Sequence, residues 1–147
     1  MEKSHDISTL NSLITTTLDS MKGYADACEQ SDGSHRELFD SMSRERSQVA
    51  SKLQAQVVAL GGDPEDDSSF TAAAHRGFMN LKQAVMGDSD EAVIEEVERG
   101  EDYLKAKFET AMQDDKLSST ARGKLEQCFA SVRKGHDRAS AMKHAMV

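Results

Sequence analysis

Residues 34–64 read SHRELFDSMSRERSQVASKLQAQVVALGGDP, and this stretch contains both a long helical pattern and its end. Apolar side chains recur every three or four residues, as they do along one face of an α-helix. That face is formed by Leu38, Phe39, Met42, Val49, Leu53, Val57 and Leu60. Gly61-Gly62 followed by Asp63-Pro64 is typical of a helix C-terminus. The stretch therefore predicts a helix over residues 34–60.

The same apolar spacing occurs in other parts of the chain. It predicts three more long helices, over residues 6–30, 90–113 and 119–145, and a shorter one over residues 69–86. Ser4 or Asp6 can cap the start of the first helix. Charged residues make up 30% of the chain, Trp is absent and there is one Pro, which favours a helix-rich fold over a β-sandwich. We expect an all-α protein with a single domain, residues 1–147.

The lengths of the connections restrict the topology. A few residues join the first and second long helices, and also the third and fourth, so each pair forms an antiparallel hairpin. The segment 69–86 is about 26 Å long as a helix. It can carry the chain back along the bundle, which makes the third long helix parallel to the second. We prefer this crossover to the alternative, an up-down bundle whose third helix is kinked at Gly87.

Two charged residues fall well inside the apolar stripes of the long helices. At about 100° per residue, Arg46 lies roughly 35° from the centre of the second stripe and Glu101 about 40° from the centre of the third. With these helices parallel, both residues fall in one layer of the bundle. An isolated charge is poorly tolerated in a core, so we predict a buried Arg46–Glu101 ion pair.

A metal site is the alternative for Glu101. Its ligands would be Glu101, His136 and a nearby carboxylate such as Glu45 or Glu98, holding iron or another divalent metal. A di-iron bundle uses several inward carboxylates and two Glu-x-x-His motifs. The chain has one such motif, at residues 2–5, and places Arg46 beside the candidate ligands. We therefore expect no cofactor, and expect His136, inward on the same helical wheel, to be a hydrogen-bonded core residue.

Catalytic motifs are scarce. His75 and Arg76, on the short helix, are candidates for a polar or anion-binding site, and an enzyme acting there on a small acidic molecule is a third hypothesis. No Ser or Cys follows a strand-to-helix elbow, and no glycine-rich loop opens a helix to bind phosphate. These observations favour a non-enzymatic protein over an enzyme.

Charge and cysteine content indicate the surroundings. The net charge of −8 disfavours binding to nucleic acids and anionic membranes. The N-terminal residues MEKSHDIS lack the hydrophobic core of a signal peptide, which favours the cytoplasm. Cys28 and Cys128 lie roughly 20 Å apart along the predicted bundle, so we expect two buried free thiols and a reducing compartment.

Several blocks of sequence resemble a bacterial family of ferritin-like, rubrerythrin-like four-helix proteins of unknown function. The blocks are Leu10-Asn11-Ser12-Leu13-Ile14, Gly23-Tyr24, Leu60-Gly61-Gly62-Asp63-Pro64, His75-Arg76-Gly77-Phe78-Met79-Asn80-Leu81-Lys82 and Glu98-Arg99-Gly100-Glu101-Asp102. The resemblance covers nearly the whole chain. It implies a ferritin-like four-helix bundle with the crossover helix, and it implies no established activity.

A complete core without a complete site leads to the functional expectation. We expect a non-catalytic interaction or stress-associated module, with the degenerate metal protein as the alternative. A protein partner fits this role. The short helix has a broad apolar side with Phe70, Phe78 and Leu81, which predicts a homodimer.

Overall fold

The structure is a computed structural model that describes residues 2–29, 33–66 and 90–145. Within these ranges the chain forms four long helices and no β-strand. They are α1 (Glu2–Glu29), α2 (Gly33–Ala59), α3 (Asp90–Met112) and α4 (Ser119–Ala145). The prediction of an all-α protein with four long helices is confirmed. The predicted short helix over residues 69–86, with His75 and Arg76, lies outside the described residues and stays a prediction.

The first helix begins earlier than the sequence indicated. It starts at Glu2, so Asp6 lies inside the helix and is not its N-cap. The Asp6 carboxylate instead accepts a hydrogen bond of 3.0 Å from the backbone N–H of Ser118, just before α4. Asp6 is 2% exposed, so it makes a buried tertiary contact between α1 and the turn before α4. The other three helices agree with the predicted ranges to within a residue at each end.

The predicted end of α2 is confirmed in detail. Gly61 has a φ of 84°, the left-handed conformation that glycine adopts most readily. The N–H of Gly61 donates to Val58 O at 2.9 Å, and the N–H of Gly62 donates to Val57 O at 3.0 Å. These two bonds form a Schellman motif, which satisfies the last carbonyls of the helix. A Cβ on Gly62 would lie 2.8 Å from Ile7 Cδ1, so the turn also packs tightly against α1.

The helices form two hairpins that pack against each other. Contacts are most extensive between α1 and α2 and between α3 and α4. The hairpins meet along two narrower seams, with α2 beside α4 and α1 beside α3. Helices α2 and α3 are therefore diagonal across the bundle.

The core consists of two apolar clusters, each with residues from all four helices. The larger cluster contains the first half of α1, the second half of α2, the second half of α3 and the first half of α4. The smaller cluster contains Tyr24, Phe39, Val97 and Ala139 among others, from the opposite halves. Both α2 and α3 thus run from the smaller cluster to the larger one. They point the same way.

The two cysteines lie in different parts of this core. Both are free, Cys128 buried in the larger cluster and Cys28 partly buried beside the smaller one. The expectation that both thiols are buried is therefore correct only for Cys128, because Cys28 lies near the end of α1. Among the described residues, no helix is both long enough and apolar enough to cross a membrane.

Candidate functional site

A charged layer separates the two apolar clusters. Arg46 on α2 and Glu101 on α3 are both fully buried. Arg46 Nη2 lies 2.6 Å from Glu101 Oε1 and 2.7 Å from Oε2, so one nitrogen donates to both oxygens of the carboxylate. The short distances are typical of hydrogen bonds between charged groups. Since each charge neutralises the other, the layer adds no net charge to the core.

Tyr24 on α1 is the third member of the layer. Its hydroxyl donates a hydrogen bond of 2.7 Å to Glu101 Oε1, and its ring stacks on Phe39 with centroids 6.0 Å apart. Burial, together with the nearby Glu101 carboxylate, raises the pKa of Tyr24 well above its ordinary value of 10.0. The phenol therefore stays protonated and acts as a donor. The sequence signal for this bond is general: a buried tyrosine hydroxyl needs a polar partner.

Helix α4 faces the layer with Gly135, which has no side chain. Gly135 is buried, and a Cβ placed there would overlap Arg46 Nη2 and lie 3.2 Å from Arg46 Cζ. The same Cβ would be 3.1 Å from Met42 Cε. Only glycine leaves room for the guanidinium at this position. A glycine in the middle of a helical pattern lowers helix stability. Its presence at position 135 is therefore a sequence signal of close packing.

The layer is not fully satisfied by the described residues. Arg46 Nε and Nη1 are buried and have no hydrogen-bond partner there, and the same is true of Ser20 Oγ on α1. A buried donor without a partner costs roughly 1–3 kcal/mol. The layer therefore costs some stability, and its geometry is held by the bonds to Glu101 and by the packing of Met42 and Gly135.

His136 is hydrogen-bonded, as expected, but it lies at the edge of the core. Its Nε2 lies 2.6 Å from Asp102 Oδ1 on α3, and its side chain is 17% exposed, so the pair closes the seam between α3 and α4. Its Nδ1 is 3.6 Å from Asp137 Oδ1. The sequence predicted a hydrogen bond for His136 but not its partner, because Asp102 lies on a neighbouring helix.

The residues of the metal alternative have separate partners. Glu101 binds Arg46 and His136 binds Asp102. Glu45 lies 3.5 Å from Arg138, on the seam between α2 and α4. Glu98 is partly buried on α3. Among the described residues, no group of three or more His, Cys, Asp or Glu side chains is arranged to hold a metal ion.

A second polar network closes the far end of the larger cluster. His5 Nε2 lies 2.6 Å from Asp114 Oδ2. The next residue, Asp6, accepts the hydrogen bond from the N–H of Ser118. Arg122 on α4 donates to three backbone carbonyls, those of Met112, Asp114 and Leu117, at 3.0, 2.6 and 3.2 Å. This network fastens the start of α1 to the turn between α3 and α4. Sequence reasoning missed it because its members are far apart along the chain.

The loop after α2 is held by Asn11. Its side-chain amide donates to Asp63 O at 3.0 Å, and its Oδ1 accepts from the N–H of Glu65 at 2.8 Å. Two of the sequence blocks noted above, around residues 10–14 and 60–64, thus meet in the structure. Two others meet in the charged layer, through Tyr24 and Glu101.

Comparison with known protein families gives one match. Residues 5–114 match a family model described as "Domain of unknown function (DUF2383)". The matched span contains Tyr24, Arg46 and Glu101, and it ends before Gly135. Comparison with curated proteins gave no match.

Proposed function

Because the chain belongs to the DUF2383 family, a domain of unknown function, we propose a role from its structure: a non-catalytic interaction module on a ferritin-like four-helix bundle. One observation carries the proposal. A single nitrogen of Arg46 donates to both oxygens of Glu101 in the centre of the bundle. In metal-binding bundles of this kind, inward carboxylates hold the metals at the core. Here a guanidinium fills that position.

The contacts of the layer support a structural role for it. Arg46, Glu101 and Tyr24 are all fully buried, so a substrate has no route to them in this conformation. The raised pKa of Tyr24 keeps its proton in place and makes the phenol a poor acid. An interior of this kind holds the helices in register, which leaves binding to the outer surface.

Metal binding is the weaker hypothesis on the same observations. A divalent ion at Glu101 would have to displace the Arg46 guanidinium or lie beside it, and either arrangement leaves a buried positive charge uncompensated. His136 and Glu45 would also have to leave Asp102 and Arg138. The stress-associated role stays a prediction. The homodimer also stays a prediction, because the apolar residues on which it is based, Phe70, Phe78 and Leu81, lie outside the described residues.

Elemental analysis of the protein purified without chelators separates the two hypotheses. We expect far less than one equivalent of iron, manganese or zinc in the wild type. One equivalent of any of these metals in the wild type, lost in Glu101→Gln and kept in Arg46→Met, would contradict the interaction module and support the metalloprotein.

A second experiment tests whether function lies on the surface. The double variant Arg46→Met/Glu101→Leu replaces the charged layer by apolar side chains and leaves the outer surface unchanged. If the protein acts through its surface, in vivo cross-linking should capture the same set of partners with this variant as with the wild type. Loss of those partners in a variant that remains folded would assign a direct role to the layer and contradict the proposal.

A further inference from the structure

The seam between α1 and α3 contains an open groove of about 880 Å³. Its α1 wall includes Ser8 and Ser12, and its other wall runs from Tyr103 on α3 to Asp114, just past the end of that helix. The helical part of this wall, from Tyr103 to Ala111, is about 12 Å long at 1.5 Å per residue. The volume lies within the range of roughly 300–1,000 Å³ that is usual for small-molecule sites.

The residues that line the groove explain why it is open. Small side chains occur on both walls, Ser8 and Ser12 on α1 and Ala106 and Thr110 on α3, and all four are exposed. The floor is apolar, with Leu13 and Ala111 buried beneath them. The groove thus offers an apolar base and several hydroxyl groups near its rim.

Among the described residues, the groove contains one cation, and it has no ion-pair partner there. Lys107 is the only positively charged residue among the described residues that line it, and none of the described carboxylates forms an ion pair with it. Its ammonium lies 5.6 Å from the centroid of the Tyr103 ring. This is within the distance at which the face of an aromatic ring attracts a cation. The ring and the charge are therefore held next to each other on the same wall.

The carboxylate at the other end of the groove has partners of its own. Asp114 lies within 2.6 Å of His5 and accepts a 2.9 Å hydrogen bond from the N–H of Lys116. It lies just beyond the end of α3, seven residues after Lys107 in the chain. Its charge is thus engaged by other groups, and none of the described ion pairs joins it to the Lys107 ammonium.

From this arrangement we infer that the groove between α1 and α3 binds a small aromatic carboxylate. The carboxylate pairs with the Lys107 ammonium, and the ring lies on the apolar floor beside Tyr103. The site is independent of the charged layer and adds a small-molecule ligand to the proposed interaction role. A helix from a protein partner in the same groove is the competing occupant.

The test is an amide NMR titration of the full chain with 2-naphthoate, 2-naphthylmethanol and inorganic phosphate. We expect saturable shifts for 2-naphthoate at residues 8–13 and 103–114, and at least about tenfold weaker binding of the uncharged alcohol. Phosphate alone should bind weakly, because it has no apolar body to cover the floor.

Three variants sharpen the result. Lys107→Gln should weaken 2-naphthoate by about tenfold and leave 2-naphthylmethanol unchanged. Lys105→Gln, on the same helix but outside the groove, is the matched control and should bind like the wild type. Ala106→Leu fills the groove at an exposed helical position and should abolish binding without lowering the unfolding midpoint.

Three outcomes would overturn the inference. They are absence of 2-naphthoate binding at millimolar concentration, shifts outside the groove, and equal losses in Lys107→Gln and Lys105→Gln. Since none of them involves Arg46 or Glu101, they would leave the proposed function standing. Failure of the metal or cross-linking experiment would conversely leave this site untouched.

Discussion

At the scale of single residues, the Arg46–Glu101 pair gives the sharpest prediction. Removing either partner leaves the other charge buried and unpaired, because both are fully buried. Arg46→Met and Glu101→Gln should each lower the free energy of unfolding by about 3–5 kcal/mol. The double variant should lose clearly less than the sum, since it leaves no orphaned charge. Urea unfolding of the four proteins measures this cycle. Small and additive losses would mean that the two side chains face water.

Gly135 gives a second prediction in the same layer. Gly135→Ala should destabilise the protein by about 1–3 kcal/mol, because the new Cβ overlaps the Arg46 guanidinium. Gly123→Ala is the control on the same helix. Its Cβ meets nothing within 4 Å, so it should stabilise α4 by up to about 1 kcal/mol through helix propensity.

The cause of the Gly135 effect can be tested separately. If the clash with Arg46 is responsible, most of the penalty should disappear in an Arg46→Met background, where the guanidinium is gone. A penalty that persists there would point to Met42, whose Cε is 3.1 Å from the same Cβ.

These residues mark the limit of what the sequence could predict at this scale. Helical spacing put Arg46 and Glu101 inside their stripes, since two charges on an apolar face are conspicuous. It could not find the Tyr24 hydroxyl bond, because that depends on a side chain from a helix 77 residues away. It predicted a hydrogen bond for His136 but could not identify Asp102, 34 residues away, as the partner.

At the scale of secondary structure, local signals fixed most helix ends. The Gly61-Gly62 turn and the Ser118 cap, whose Oγ accepts from the N–H of Ala121 at 3.1 Å, depend on neighbours in the chain. Asp6, inside α1, instead bonds to Ser118, which is 112 residues away. No local pattern carries that contact, and so Asp6 was interpreted as a possible cap of the first helix.

The bond between His5 and Asp114 predicts a pH dependence for the docking of α1. The hydrogen bonds from the N–H of Lys116 and from His5 lower the pKa of Asp114 below its ordinary value of 3.8. A carboxyl group whose pKa is lower in the folded state stabilises the fold above its unfolded pKa. That contribution is lost as the pH falls through the folded pKa. The wild type should therefore be more stable than Asp114→Asn at pH 6, and the difference should shrink below about pH 4.

Urea midpoints of the two proteins between pH 2 and pH 7 would measure this difference. His5→Gln is the useful comparison, because it removes one of the two bonds to Asp114 and keeps the backbone bond from Lys116. Its midpoint difference from the wild type should be smaller than that of Asp114→Asn. A difference between wild type and Asp114→Asn that does not vary with pH would show that the carboxylate charge is not what the network uses.

At the scale of the whole molecule, connection lengths predicted the hairpins, and the apolar stripes predicted the core. The parallel course of α2 and α3 follows in the structure from the membership of the two clusters. The sequence reached the same arrangement through the segment 69–86, whose structure lies outside the described residues. Assignment of the bundle to the ferritin-like class therefore rests on the proposal above and not on the described helices alone.

The shared core predicts how the molecule unfolds. Each cluster takes residues from all four helices, so neither hairpin has a core of its own. Arg46 and Glu101 add a bond between the hairpins in the buried layer. We therefore expect one cooperative transition in calorimetry, with a van't Hoff enthalpy equal to the calorimetric enthalpy. For a chain of this length the enthalpy should be about 100 kcal/mol near 60 °C.

A fragment of residues 1–66, which contains α1 and α2 alone, should show no cooperative transition under the same conditions. Two separate transitions in the full chain, or a folded fragment, would mean that the hairpins are independent units and that the charged layer is only a contact between them.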